Sequence, residues 1–208
     1  MLFAVIEGFA LGAGLIIAIG AQNVFVIRQG IIGRHVFPVA TICFLSDALL
    51  IAIGAAGVGA LIAANDMVRS IAAWGGAAFL TVYGLKAMHA AWRAEGMNWK
   101  GEEGRSNGLK AAVLTALAFT YLNPHVYIDT VMLVGGVAGQ FGTQDRHAFT
   151  AGAILASCVW FYGLAYGATR LAPLFRTATA ARVLDGTIAL IMFSVAGALI
   201  WGEVGRWR

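Results

Sequence analysis

The sequence predicts an all-α polytopic membrane protein of six transmembrane helices, organised as two inverted three-helix repeats with broken helices in spans one and four. Three observations carry that prediction. Apolar residues make up 60% of the 208 and charged residues only 12%, against about 45–50% and about 25% in soluble domains. The mean hydropathy is +0.81, and the charges gather in short stretches between long apolar runs. Those runs number six, each near the length of about 20 residues that a spanning helix needs. The remainder is too short for a folded extramembrane domain, so residues 1–208 read as one transmembrane domain.

The first span lies between Met1 and Arg28, with Glu7 as its only charge. It is too long for the apolar core of a signal peptide and lacks a basic stretch before it. Span two lies within 36–64 and carries Asp47. Span three covers about 70–91, with Lys86 and Arg93 able to extend their amines to the interface. Residues 92–110, rich in Gly and Glu, read as a flexible linker between a first half (1–91) and a second half (111–208). Span four runs over Ala111–Ala138 around Asp129, and span five over His147–Thr169. Span six, Gly186–Gly202, is bounded by Asp185 and Glu203 and is the shortest.

With six spans, the loops after spans one, three and five share one face of the membrane. Ten of the fourteen Lys and Arg residues fall there. Cytoplasmic loops carry the excess of basic residues, which places those three loops inside and both termini outside. The net charge of +4 is thus a membrane-topology signal and implies no nucleic-acid partner. Cys43 and Cys158 sit inside apolar runs as small buried residues. They offer no disulfide framework, and no metal-ligand or cofactor motif is present. Motifs for zinc peptidases, P-loop enzymes and serine hydrolases are likewise missing, so the chain is read as no enzyme.

Three spans per half force the second half to enter the membrane in the opposite direction, the inverted-repeat architecture of many transporters. Short matches accompany it. Gly76–Leu80 can be set against Gly186–Leu190, and Phe44–Ser46 against Leu155–Ser157. Spans one and four each carry an amide-bearing interruption, Gly20-Ala21-Gln22-Asn23 and Leu122-Asn123-Pro124-His125. Span four as a continuous helix would measure about 42 Å at 1.5 Å per residue, longer than a hydrocarbon core of about 30 Å. Pro124 lacks a backbone donor and obstructs the carbonyl of Thr120, so the helix is expected to break there. Unwound backbone at membrane depth is tolerated where it lines a cavity or is buried in protein.

Charged groups at mid-bilayer are costly, by about 2.5–3.5 kcal/mol on insertion scales. Asp47 and Asp129 have no basic residue beside them in sequence and are read as cation- or proton-binding groups. On an unbroken helix, Tyr121, His125 and Asp129 would share one face, and His125 could relay protons. Gln22, Asn23 and Asn123 offer donors and acceptors for a zwitterionic backbone, and Gly20 permits an irregular turn. The small-residue stripes at Ala4, Gly8 and Gly12 and at Gly135, Gly136 and Gly139 mark close helix packing, within or between subunits, and suggest a homodimer.

The stretches Ile19–Gly30, Leu45–Asp47 and Leu122–Thr130, with Ala156–Phe161 and Leu171–Arg182, strongly resemble the LysE/ArgO family of bacterial lysine and arginine exporters. The resemblance spans the chain apart from the linker. It implies a six-helix inner-membrane protein that exports basic amino acids, driven by the proton gradient. It maps the family's intramembrane aspartates onto Asp47 and Asp129, and its Asn-Pro break onto Asn123 and Pro124. Several relatives have Gly-Pro-Gln-Asn where this chain has Ala21 after Gly20, so a softer break is expected in span one. The Pro-Gly-Pro stretch of the homoserine/threonine branch is absent, which favours cationic over neutral substrates. An exporter of neutral amino acids, or of cations bound by the same aspartates, is the alternative.

The charge distribution makes a topological prediction. Cysteines placed at Asn98 and at Arg208 should label from opposite sides of intact cells. Equal labelling from outside would refute the six-span orientation.

Overall fold

The computed structural model describes residues 1–17, 20–57, 66–93, 108–175 and 177–206, without the side chains of 68, 69, 93 and 206. The linker segment 94–107 and the expected end of span two, 58–65, lie outside the described residues. All regular structure among the described residues is helical. In chain order the elements are α1 (Leu2–Ile16), α2 (Ala21–Ile32), α3 (Val36–Ala55), α4 (Asp66–Arg93), α5 (Leu109–Tyr121), α6 (Pro124–Ala138), α7 (Thr143–Leu171) and α8 (Ala178–Arg206). A 3-10 turn, Ala172–Phe175, follows α7.

Four of these helices are long and apolar enough to cross a membrane, and there are six candidate spans if each bent pair counts as one. The bent pairs are α1 with α2, at 83°, and α5 with α6, at 60°. Both expected interruptions are therefore present. The break in span one is the sharper of the two, contrary to the expectation drawn from Ala21. Gly20, the N-cap of α2, has an extended backbone (φ −114°, ψ 175°).

Two other expectations are corrected. Span six is not the shortest, because α8 runs for 29 residues through both supposed boundary charges. Asp185 is in an ion pair, and Glu203 is buried and engaged, so neither carboxylate needs to lie at a helix end in water. Arg28, expected in a loop, lies inside α2 and pairs with Asp185. The connection after α2 is correspondingly tight. Gly33 adopts the left-handed conformation (φ 71°), and its N–H donates to the carbonyls of Gln29 and Gly30, a C-cap that a Cβ would strain.

Packing is by backbone approach. The carbonyl of Phe149 in α7 occupies the space where a Cβ on Gly8 would sit, and Ala153 abuts Gly12. Gly152 of α7 presses in the same way on the backbone of Val5 and Phe9. Between α3 and α6, a Cβ on Gly54 would come 2.7 Å from the Val131 carbonyl, and Gly135 lies on the Gly54 backbone. The α1 stripe and Gly135 are thus used within the chain, and they supply no free surface for a second copy. Side chains fill what remains, in one cluster around Phe25, Phe119, Phe161 and Met192 and another around Ile51, Val134 and Phe149.

This packing sets a clear contrast between glycines. Gly8→Leu should destabilise by about 1–3 kcal/mol as an overpacked site, read as a lowered unfolding temperature in detergent. Gly163→Leu, where a Cβ meets open space, should leave that temperature nearly unchanged.

Candidate functional site

The two helix breaks face each other across one cavity of about 430 Å3. Its wall includes Gly20, Ala21, Gln22 and Asn23 from the first break and Asn123, His125 and Val126 from the second. Asp47 of α3, Asp129 and Thr130 of α6, Phe161 of α7, Leu15 and Ile16 of α1 and Ser194, Val195 and Ala198 of α8 complete the wall. Of the residues expected from sequence, Gly20, Gln22, Asn23, Asp47, Asn123, His125 and Asp129 all reach this one space. Pro124 does not line it; buried at the first turn of α6, it acts by shaping the break.

The backbone groups freed by the second break can be traced one by one. Leu122 N–H still donates to Ala118 at 3.0 Å, and Asn123 N–H reaches the Thr120 carbonyl at 3.4 Å. The Tyr121 carbonyl, which His125 would satisfy in a continuous helix, accepts from the Tyr127 hydroxyl at 2.8 Å. His125 N–H instead donates to Oδ1 of Asn123 at 3.1 Å. Asn123 is therefore an N-cap as well as a cavity residue, and an Asn-Pro pair at a helix start suits both positions. The Thr120 and Tyr121 carbonyls and the His125 N–H thus each have a substitute partner, which such unwound backbone requires.

Beyond this point the expected geometry changes. Tyr121 ends α5, and the bend separates it from His125 and Asp129, so the three do not form one helical stripe. Residues Tyr127–Val134 of α6 are moreover a π-helix, wider than the α-helix on which that spacing was based. His125 and Asp129 still meet at the cavity wall.

At the first break, Asn23 is almost fully buried and tied down on both sides of its amide. Its Nδ2 donates to the Ile16 carbonyl at 2.9 Å, closing the gap between α1 and α2. Its Oδ1 accepts from Trp160 Nε1 at 3.3 Å. Gln22 differs, since its Nε2 is buried with no hydrogen-bond partner among the described residues. Asp47 is 6% exposed and accepts a hydrogen bond from Ser157 Oγ at 3.2 Å, a group wholly buried in α7. Sequence reasoning set Ser157 against Ser46 as a repeat match and met Trp160 within the Ala156–Phe161 stretch. Neither was recognised as a partner of the site, because both pairings run between α7 and the first half across more than a hundred residues. A period-four reading would have found Ser157 and Phe161 on one face of α7, one turn apart.

The chemistry available is specific. Two carboxyl groups, one held by a serine and the other at the cavity wall, suit a cation. The first turns of α2 and α6 both begin at the cavity, where N–H groups lack partners within their own helix and the positive end of the helix dipole lies. An anionic group is stabilised there. Because Ser157 and Asp47 are both buried, Ser157→Ala should lower stability by about 1–3 kcal/mol. Ser194→Ala, at the exposed cavity wall, should have almost no effect. Thermal unfolding of the two variants side by side makes the comparison.

Residues 13–203 match the protein family described as LysE type translocator. YggA of Aeromonas salmonicida is 41% identical over 199 residues, 96% of this chain and 96% of its own. The arginine exporter protein ArgO of Serratia proteamaculans is 39% identical over 201 residues, 97% of this chain and 98% of its own. The ArgO protein of Salmonella enteritidis is 40% identical over 190 residues, 91% and 90% of the two chains. No solved structure matches the chain. With the family covering nearly all of the sequence and several bilayer-length helices in the fold, the chain belongs to the LysE type translocators, a multi-pass membrane transporter and not an enzyme.

Proposed function

We propose that this protein exports basic L-amino acids, arginine foremost, across the bacterial inner membrane in exchange for protons. The observation that carries the reading is the meeting of two broken helices and two acids, Asp47 and Asp129, at one cavity of about 430 Å3. That space admits one amino acid with its side chain extended. The names of the ArgO relatives favour arginine over lysine.

In this reading Asp47 and Asp129 receive the guanidinium or ammonium group. The first turns of α2 and α6 receive the α-carboxylate, aided by Gln22, whose buried amide nitrogen has no hydrogen-bond partner among the described residues. Asn23 and Asn123 hold the two breaks in place at the edge of the substrate space. A buried carboxylate without a countercharge is strongly disfavoured, so each aspartate holds either the cation or a proton. Arrival of substrate expels a proton, and protonation from outside expels substrate. His125, exposed at the cavity wall, would speed the proton's passage. Each half contributes a bent pair followed by two long helices, an order that supports two inverted repeats, 1–91 and 111–208, joined by 92–110. The charge distribution supports a cytoplasmic linker and termini outside. The protein is proposed to work without a cofactor, and a homodimer is left to crosslinking in native membranes.

Asp129→Asn keeps shape and hydrogen bonding while removing the charge, and should abolish net arginine and lysine flux in proteoliposomes under an imposed pH gradient. Asp47→Asn should do the same or weaken binding strongly, and His125→Gln should reduce rate at most. Wild-type-like flux in both aspartate variants would return those residues to a structural role. Counterflow with threonine and with a metal ion separates the neutral amino-acid and cation alternatives.

A further inference from the structure

The cavity wall is unevenly exposed: His125 and Ser194 are exposed on it, whereas Leu15 is half-buried and Asn23 and Asp47 are buried. Along α2 beyond Asn23, towards the connection with α3, Phe25 joins a ring cluster with Phe79 and Tyr83 of α4 and Phe119 of α5, and these rings make that the sealed face. Phe119 lies at the centre of this layer, 5.1 Å from Phe25, 4.9 Å from Phe79 and 5.2 Å from Tyr83 between ring centroids. Phe25 and Phe119 are almost wholly buried.

A second layer lies beyond the rings. Arg28 Nε donates to Asp185 Oδ1 at 3.4 Å, joining α2 to α8, with side chains only 24% and 13% exposed. The Tyr83 hydroxyl lies beside Arg28 and so links the ion pair to the aromatic layer. Arg28 is seven residues past the start of α2, about 10 Å along its axis from the cavity. Asp185 is nine residues before Ser194, about 13 Å along α8. The pair therefore occupies the route between the cavity and that face.

We propose that the Arg28–Asp185 pair is the closed gate on this face, and that Asp185 is an entry subsite for the cationic side chain of the substrate. The second part rests on the basic amino-acid reading above. Arg28 presents to Asp185 the same guanidinium that an arginine would bring, so it acts as a tethered surrogate for the substrate. An arriving guanidinium or ammonium exchanges for Arg28 on the carboxylate. Asp185 stays compensated throughout, and the displaced Arg28 guanidinium takes the substrate's α-carboxylate as its new partner, so both charges remain paired. Released from α8, α2 is free to carry Phe25 away from Phe119. The exchange also gives selectivity, because a neutral amino acid cannot replace Arg28 on the carboxylate and leaves the gate shut.

Cys43 supplies a native reporter. It is fully buried in α3, one turn nearer the sealed face than Asp47. In a Cys158→Ser background, an impermeant maleimide applied from the sealed face should label Cys43 slowly. In Arg28→Gln and in Asp185→Asn, each of which breaks the pair, labelling should speed up by about tenfold or more. The charge swap Arg28→Asp with Asp185→Arg should restore protection, which separates gating from misfolding. Flux measured with arginine supplied at the sealed face should then split the two variants. Asp185→Asn should raise the half-saturating concentration about tenfold, whereas Arg28→Gln should lower it or leave it unchanged.

Unchanged Cys43 labelling in both single variants, or no recovery in the swap, overturns the gate. Equal rises in half-saturating concentration in the two variants overturn the entry subsite. The labelling arm uses no amino acid, so it stands independently of the substrate assignment. Absence of arginine and lysine flux in the unmodified protein would overturn that assignment alone.

Discussion

The constraint on which this structure depends is that backbone opened inside a bilayer has no water to satisfy it. Two helices open at the same cavity, and both openings are closed by named side chains rather than left bare. Asn23 bonds the last carbonyl of α1, and Tyr127 takes the Tyr121 carbonyl at the end of α5. Asn123 captures the N–H of His125. Removing any of these groups leaves a peptide dipole exposed in a poor dielectric, so the residues that shape the site also hold it open. The same requirement explains why amides, rather than charged groups, stand at the breaks. An amide can donate and accept at once without adding a charge.

Close approach of helices follows from that arrangement. With each bent span divided into two short helices, neither half has the length to be held by side-chain contacts alone. Backbone contact through Gly8, Gly12, Gly54, Gly135 and Gly152 substitutes for it. Lipid offers no hydrophobic gain when helices associate, so tight packing of atoms must supply the attraction. The π-helix of α6 lies against Gly54 with its backbone. A wider turn there is tolerated because the opposing surface carries no side chain.

How much of this was legible in the sequence depends on the range of the interaction involved. The break at Pro124 is a local effect of one ring on one carbonyl, and it was readable from four residues. The break at Gly20 was readable in place but not in size, because bend angle is set by what α1 and α2 pack against, chiefly α7. The polar residues converging on the cavity were readable because each is expensive in an apolar run. What could not be read was pairing at long range. Arg28 and Asp185 both looked like span boundaries, since charge within an apolar run normally marks an end. Their proximity in space, 157 residues apart in sequence, removes that cost and lets α2 and α8 run on. Ser157 and Trp160 escaped notice for the same reason, as ordinary core residues until their partners are seen. The Tyr121–His125–Asp129 stripe failed because a periodicity argument assumes one continuous helix, and the proline that creates the site also ends that helix.

The two faces of the cavity differ in chemistry, which bears on direction. The sealed face holds an ion pair over an aromatic layer, and the residues that would correspond to Arg28 and Asp185 under the proposed inverted relation include a glycine in α4 rather than an acid. Such an unequal pair of gates changes how readily substrate enters from each side. It cannot by itself make transport run outward, because a barrier shared by forward and reverse passages leaves the equilibrium between the two compartments untouched. Outward movement needs a second ion whose binding excludes the substrate and whose gradient runs inward. Two aspartates that require either a cation or a proton have that property without any further residue. In the proposed scheme, direction therefore resides in the acids at the cavity and rate in the gate, so variants of the two should alter different parameters of the same flux.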